Sequence, residues 1–227
     1  MQRGPLTPAR ILLLALALTV ARAPADDGIV QDEPVLAKSL ADYANAWWQW
    51  TVSMPDSESP VKDRTGARCG VNQAGPVWFL AGGYGSSKIR RSCTIPAGVH
   101  VFFPVINMLY YPGNADSELT CAEAKASAAL NNQYLRSFKV VVDDHEYVNP
   151  VFFRTASESC FDLIARMPGS YNPATVYPAA TDGYWVMLKP LRPGSHRIAF
   201  RAEYHRPGGA YGSMLQDIEY RIEVKAL

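Results

Sequence analysis

The run Asp217-Ile218-Glu219-Tyr220-Arg221-Ile222-Glu223-Val224 alternates a charged residue with a large apolar one at every step. A period of two puts Ile218, Tyr220, Ile222 and Val224 on one face of an extended strand and the charges on the other. That is a strand of a half-exposed sheet. Upstream, Ser195 to Tyr204 repeats the pattern, with His196, Ile198, Phe200, Ala202 and Tyr204 sharing a face. The turn Pro190 to Gly194 joins it to a further strand, Tyr184 to Lys189.

Further out, Val99 to Ile106 is apolar on both faces and reads as a strand buried on both sides. The turn Ile95-Pro96-Ala97-Gly98 introduces it, and the aromatic loop Tyr110 to Asn114 closes it. Val77 to Ala81 and Lys88 to Thr94 read as a hairpin around the glycine-rich tip Gly82 to Ser87. That tip lacks a Gly-Lys-Ser/Thr ending and leads into a strand, so it is no phosphate loop. Phe138 to Val142 and Glu146 to Thr155 form another hairpin through Asp143-Asp144-His145, with Pro150 restricting the second strand to an edge or a bulge. Residues 161–183 read mostly as loop.

Two segments carry helical spacing. Leu36, Leu40, Tyr43, Trp47, Trp50 and Met54 recur at steps of four and three between Pro34 and Pro55. Their face packs on a sheet, and Trp48 alone of the three tryptophans leaves it. Ser117 to Ser137 reads as the second helix, with Leu119, Ala122, Ala126, Ala129, Leu130 and Tyr134 inward. The expected fold is therefore mainly β: a single-domain β-sandwich, jelly-roll or immunoglobulin-like, with an N-terminal helix and one inserted helix.

Residues 1–25 have the plan of a secretory signal peptide: Arg3 and Arg10, the apolar run Ile11 to Val20, then small residues. Cleavage after Ala25 would start the mature domain, residues 26–227, at Asp26. No later segment approaches the roughly 20 apolar residues of a membrane helix, so no span is expected in the mature chain. Arg3, Arg10 and Arg22 leave with the leader, which turns 22 basic and 21 acidic residues into 19 and 21, a net charge of −2. No basic run tracks a phosphate backbone, so nucleic acid is excluded as a partner. Cys69, Cys93, Cys121 and Cys160 form an even set without metal-knuckle or redox-pair spacing, which is the arithmetic of structural disulfides. Of three pairings, Cys69 with Cys93 and Cys121 with Cys160 is preferred, because each closes a loop of moderate length. Export to a secreted or periplasmic location follows.

No motif calls for a cofactor. Gly-x-Ser-x-Gly is absent, and with all cysteines paired a thiol nucleophile is disfavoured. Asp182 and Glu203 are the carboxylates weighed for glycoside hydrolysis. His100, His196, His205 and Glu203 are the candidate metal ligands, but neither His-x-His nor His-x-x-x-His occurs, and no metal is assigned. Tyr84, Tyr110, Tyr111, Tyr171, Tyr177 and Tyr211 fall in loops among Gly, Asn and Pro. Rings with apolar faces and polar edges suit shallow recognition, which makes these six the candidate ligand-binding residues. The function expected is a binding or interaction module for an extracellular or envelope ligand, a glycan or an envelope protein. The alternatives are a hydrolase of an extracellular polymer and a structural envelope component.

Five segments also carry a resemblance: Trp47-Trp48-Gln49-Trp50; Gly75 to Gly82; Ile95 to Gly98 with Phe102 to Asn107; Asp182-Gly183-Tyr184-Trp185; and Pro190 to His196. In that order they resemble a family of exported bacterial proteins to which no activity is assigned. The resemblance covers most of the mature chain and implies export and a shared fold, with no mechanism.

Overall fold

The C-terminal alternation becomes an inner strand of a sheet in the computed structural model, which describes residues 1, 28–30, 33–85, 88–114, 117–169, 175–208 and 212–226. The strands are β1 (Ile29–Val30), β2 (Val77–Phe79), β3 (Lys88–Pro96), β4 (His100–Tyr110) and β5 (Leu135–Val142). They continue with β6 (His145–Tyr147), β7 (Arg154–Ala156), β8 (Ala180–Leu188), β9 (Gly194–His205) and β10 (Ser213–Lys225). The helices are α1 (Leu40–Thr51) and α2 (Cys121–Ala129). Apart from Met1, the leader lies outside the described residues, as do Tyr171 and Tyr211.

The strands form the expected β-sandwich. One sheet runs β1-β8-β4-β2, with β7 also on β8, and the other runs β3-β10-β9-β5-β6. Each carries one parallel pair, β2 with β4 and β3 with β10. Between them Phe103, Val105, Val186 and Leu188 meet Ile198, Phe200, Tyr220 and Ile222. The charges of β9 and β10 stay outside, where Arg197 pairs with Glu219 and Arg201 with Asp217.

Helix α1 makes a third layer. Trp47 and Trp50 pack with Phe102, Trp185 and Met187 on the far face of the first sheet, and Phe102 stacks on Trp185 at 5.4 Å. This is why β8 is buried along its whole length and β4 along most of it, the two-sided burial expected for Val99 to Ile106. An isolated helix of this length is marginal in water. Each fully buried large side chain contributes about 1.5–3 kcal/mol, so the tryptophans hold it in place.

Several boundaries move for identifiable reasons. Helix α1 starts at Leu40, because Ser39 and Asp42 form a capping box, while Leu36 and Ala37 take left-handed φ of 52° and 63°. Leu36 is exposed and leaves the expected stripe. Helix α2 spans far less than Ser117 to Ser137: Thr120 and Glu123 cap its start, and the chain is a strand again by Leu135. Its buried residues are Ala124 and Ala128, and Ala122, Ala126 and Leu130 are exposed. An alanine-rich helix offers little apolar contrast, and the disulfide at Cys121 sets its inward face at i, i+3 and i+7.

The expected hairpin of Val77–Ala81 with Lys88–Thr94 does not form. β2 and β3 lie in different sheets, so Gly82 to Gly85 belong to a connection between sheets and not to a hairpin tip. Glu146 to Thr155 likewise divides at Pro150 into β6 and β7, on opposite sheets, with a 3-10 turn over Pro150–Phe153. β8 begins at Ala180, inside the stretch read as loop. Cys69–Cys93 and Cys121–Cys160 are bonded as preferred, and disulfides persist in oxidising compartments. Among the described residues no helix is long and apolar enough to cross a membrane.

Candidate functional site

The pairing of β4 with β8 slips by one residue between Pro104 and Ile106, a β-bulge. Val105 and Ile106 therefore both point into the core between the sheets, and the pleat resumes with Asn107 on the side of α1. There Asn107 lines a recess of about 390 Å³ with Trp47, Trp48, Met54, Met167 and Met214. Asn107 is 7% exposed, and its Nδ2 has no hydrogen-bond partner among the described residues. Leaving a buried donor unpaired costs about 1–3 kcal/mol, and such groups call for an explanation.

The rest of the wall is held rigidly. Trp47 Nε1 donates to Leu80 O at 2.9 Å, and Trp48 Nε1 to Thr181 Oγ1 at 2.9 Å, which in turn donates to Met108 O at 2.6 Å. Trp50 Nε1 donates to Val71 O at 2.9 Å, so all three tryptophans serve the packing of α1. Gly183 faces Asn107 directly across β8, and a Cβ there would lie 2.5 Å from Asn107 Cα. The connection after β2 is hooked by Gln216: its Oε1 accepts from Gly83 N–H at 3.0 Å, and its Nε2 donates to Gly83 O.

Arg91 joins two sides of the recess from the edge strand β3. It is 2% exposed and donates to Ala81 O, Gly82 O, Val61 O, Asp63 O and Tyr220 Oη at 2.7–3.1 Å. Burial pushes the Asp63 carboxyl up, but donors from Arg68 and Thr65, with the Arg91 charge, outweigh it and hold it below the ordinary value. At the mouth stand Tyr84, largely exposed, and Asp56, which is paired with Lys62. Among the described residues the lining contains no histidine or cysteine, and its one carboxylate is engaged. Among the described residues a nucleophile and a base do not meet there.

A larger, polar groove of about 1230 Å³ lies at one end of the second sheet, lined by Asp143, Arg192, Ser195, His196 and Arg221 among others. Its polar groups answer one another: His196 Nδ1 lies 2.8 Å from Asp143 Oδ2 and Nε2 2.8 Å from Arg192 O. That satisfies the histidine, as its strand face implied. His205 Nδ1 lies 2.6 Å from Ser213 Oγ, and His100 sits partly buried at the start of β4. Among the described residues no three His, Cys, Asp or Glu side chains gather as a metal site. Asp182 is buried and bonded by two nitrogens of Arg154 at 3.0 and 3.2 Å, and Glu203 lies on β9.

Of the six candidate tyrosines, Tyr84 lines the recess. Tyr110 ends β4 opposite Ala180, Tyr111 follows it, and Tyr177 precedes β8, which gathers these three at one end of the first sheet. Gln216, Arg91, Met167 and Met214 were not singled out by sequence reasoning, Met54 was read only in the stripe of α1, and Asn107 only as the end of a segment carrying the resemblance. One signal was available: Asn107 is a lone amide late in an otherwise apolar strand. Trp47, Trp48, Gly82, Asn107 and Gly183, from four of the five segments that carry the resemblance, line or back this recess.

No family model matches the chain, and no curated protein matches it. A solved structure of PbICP-C in complex with falcipain-2 matches at 14% identity over 67% of this chain and 100% of the other, with a TM-score of 0.24. At that score the likeness carries no argument.

Proposed function

We propose that the chain is an exported binding module whose extracellular or envelope ligand is held in the recess between the C-terminal end of α1 and the bulge of β4. The observation that carries this reading is an apolar concavity lined by Asn107, whose buried Nδ2 has no partner among the described residues. The leader-like residues 1–25 and the two disulfides support secretion or a periplasmic address. The recess supplies orientation and burial, with no reacting pair of side chains, which favours binding over hydrolysis. Saturation-transfer NMR with a panel of small fragments and short glycans, read also on the methyl resonances of Met54, Met167 and Met214, tests it. At least one probe is expected to shift those methyls saturably, and a panel that leaves all of them unmoved overturns the reading.

A further inference from the structure

We infer that the ligand is an uncharged, largely apolar small molecule that carries one carbonyl or similar acceptor, and that this acceptor takes the hydrogen bond of Asn107 Nδ2. The inference rests on the proposed binding role and names the ligand class of that same site. Size comes first: about 390 Å³ at roughly 30 Å³ per water-sized unit admits on the order of a dozen non-hydrogen atoms. The lining comes next. Three thioethers and two indoles reward apolar surface and adapt to its outline, since methionine fills irregular gaps with little penalty.

A ligand rich in hydroxyls would place most of them against those thioethers and indoles without partners. Among the described residues of the lining the one carboxylate, Asp56, is already paired with Lys62, so an ionic ligand gains little there. Polarity is nevertheless built in at Asn107, beside the hydroxyls of Thr51, Ser59 and Tyr84 that share the lining. The bulge at Pro104/Ile106 turns Asn107 toward α1, and Gly183 opposite leaves the room that a side chain would take from it. The rotation of an asparagine amide about χ2 is broad, so Nδ2 can turn into the recess when an acceptor arrives.

Two probes of matched shape separate these elements: acetophenone, with C=O, and α-methylstyrene, with C=CH2 in its place. NMR titrations of the full mature chain follow the methionine methyls and the Asn107 side-chain amide. Acetophenone is expected to bind about five- to tenfold more tightly and to shift the Asn107 amide, while α-methylstyrene shifts only the methyls. In Asn107→Leu that preference disappears while α-methylstyrene still binds. Equal affinities for the native chain, or a preference that survives Asn107→Leu, overturn the acceptor inference and leave the recess as a binding site. If neither probe moves the methyls, the inference falls together with the binding role of the recess. Should Asn107→Leu not fold, the amide shift in the native chain decides the matter: a shift shared by both probes overturns the inference.

Discussion

Gly183 and Arg91 show how single residues fix the recess without touching a ligand. A methyl group on Gly183 would meet Asn107 Cα and Cβ at 2.5 Å and Ile106 O at 2.7 Å, and two of these are backbone atoms that cannot yield cheaply. Gly183→Ala is expected to destabilise the fold by about 1–3 kcal/mol, seen as a lower urea midpoint at unchanged m. It also displaces Asn107, so the acetophenone preference falls with it. Arg91→Met keeps much of the side chain's apolar stem but removes the donors to four carbonyls and a hydroxyl. Because buried acceptors are then left unpaired, a loss of at least about 3 kcal/mol is expected in the same measurement. Arg91 was not legible in the sequence: the basic pair Arg90-Arg91 looks solvated, yet the alternation of β3 puts Arg91 on the buried face with Ile89, Cys93 and Ile95.

At the level of elements, legibility followed the range of the interaction. The stripe of α1, the double burial of β4 and the alternation of β9 and β10 depend on local period, and all three appear as read apart from Leu36. The supposed hairpin of Val77–Ala81 with Lys88–Thr94 failed because β2 pairs with β4 and β3 with β10, the latter through partners as distant as Arg91 and Tyr220. Local spacing carries no trace of that. The same holds for the recess, which needs a bulge, a helix end and Gln216 from β10 to meet. The disulfides offer a contrast, since each loop length was readable in advance. With separations of 24 and 39 residues, each bond contributes about 3–4 kcal/mol by restricting the unfolded chain. Cys69→Ser/Cys93→Ser and Cys121→Ser/Cys160→Ser are therefore expected to lose similar stability in urea. Probe affinity should separate them: only Cys69–Cys93 ties the loop bearing Met54 and Val61 to β3, so its removal weakens binding more.

For the molecule as a whole, the titrating groups shape stability on both flanks of pH. Burial alone lowers the His100 pKa, so below the ordinary histidine range the unfolded chain takes up a proton that the folded chain refuses. Stability consequently falls as pH drops through that range. Further down, Asp63, Glu123 and Glu219 are held below their ordinary values. Their contributions are complete above the unfolded carboxylate range and are lost as pH falls through the folded values. On the alkaline side burial raises Tyr43, Tyr184, Tyr204 and Tyr220. Above the ordinary phenol value of about 10 the unfolded chain releases protons that the folded chain retains, and stability declines again. Urea midpoints measured from pH 3 to pH 11 should thus form a plateau between the histidine and phenol ranges, about pH 7 to 10, with one descending limb on either side. His100→Gln removes a base whose charged form the fold opposes, so it is expected to flatten the first step of the acid limb and leave the alkaline limb unchanged. An acid limb of identical shape in that variant would assign the step to the carboxylates alone.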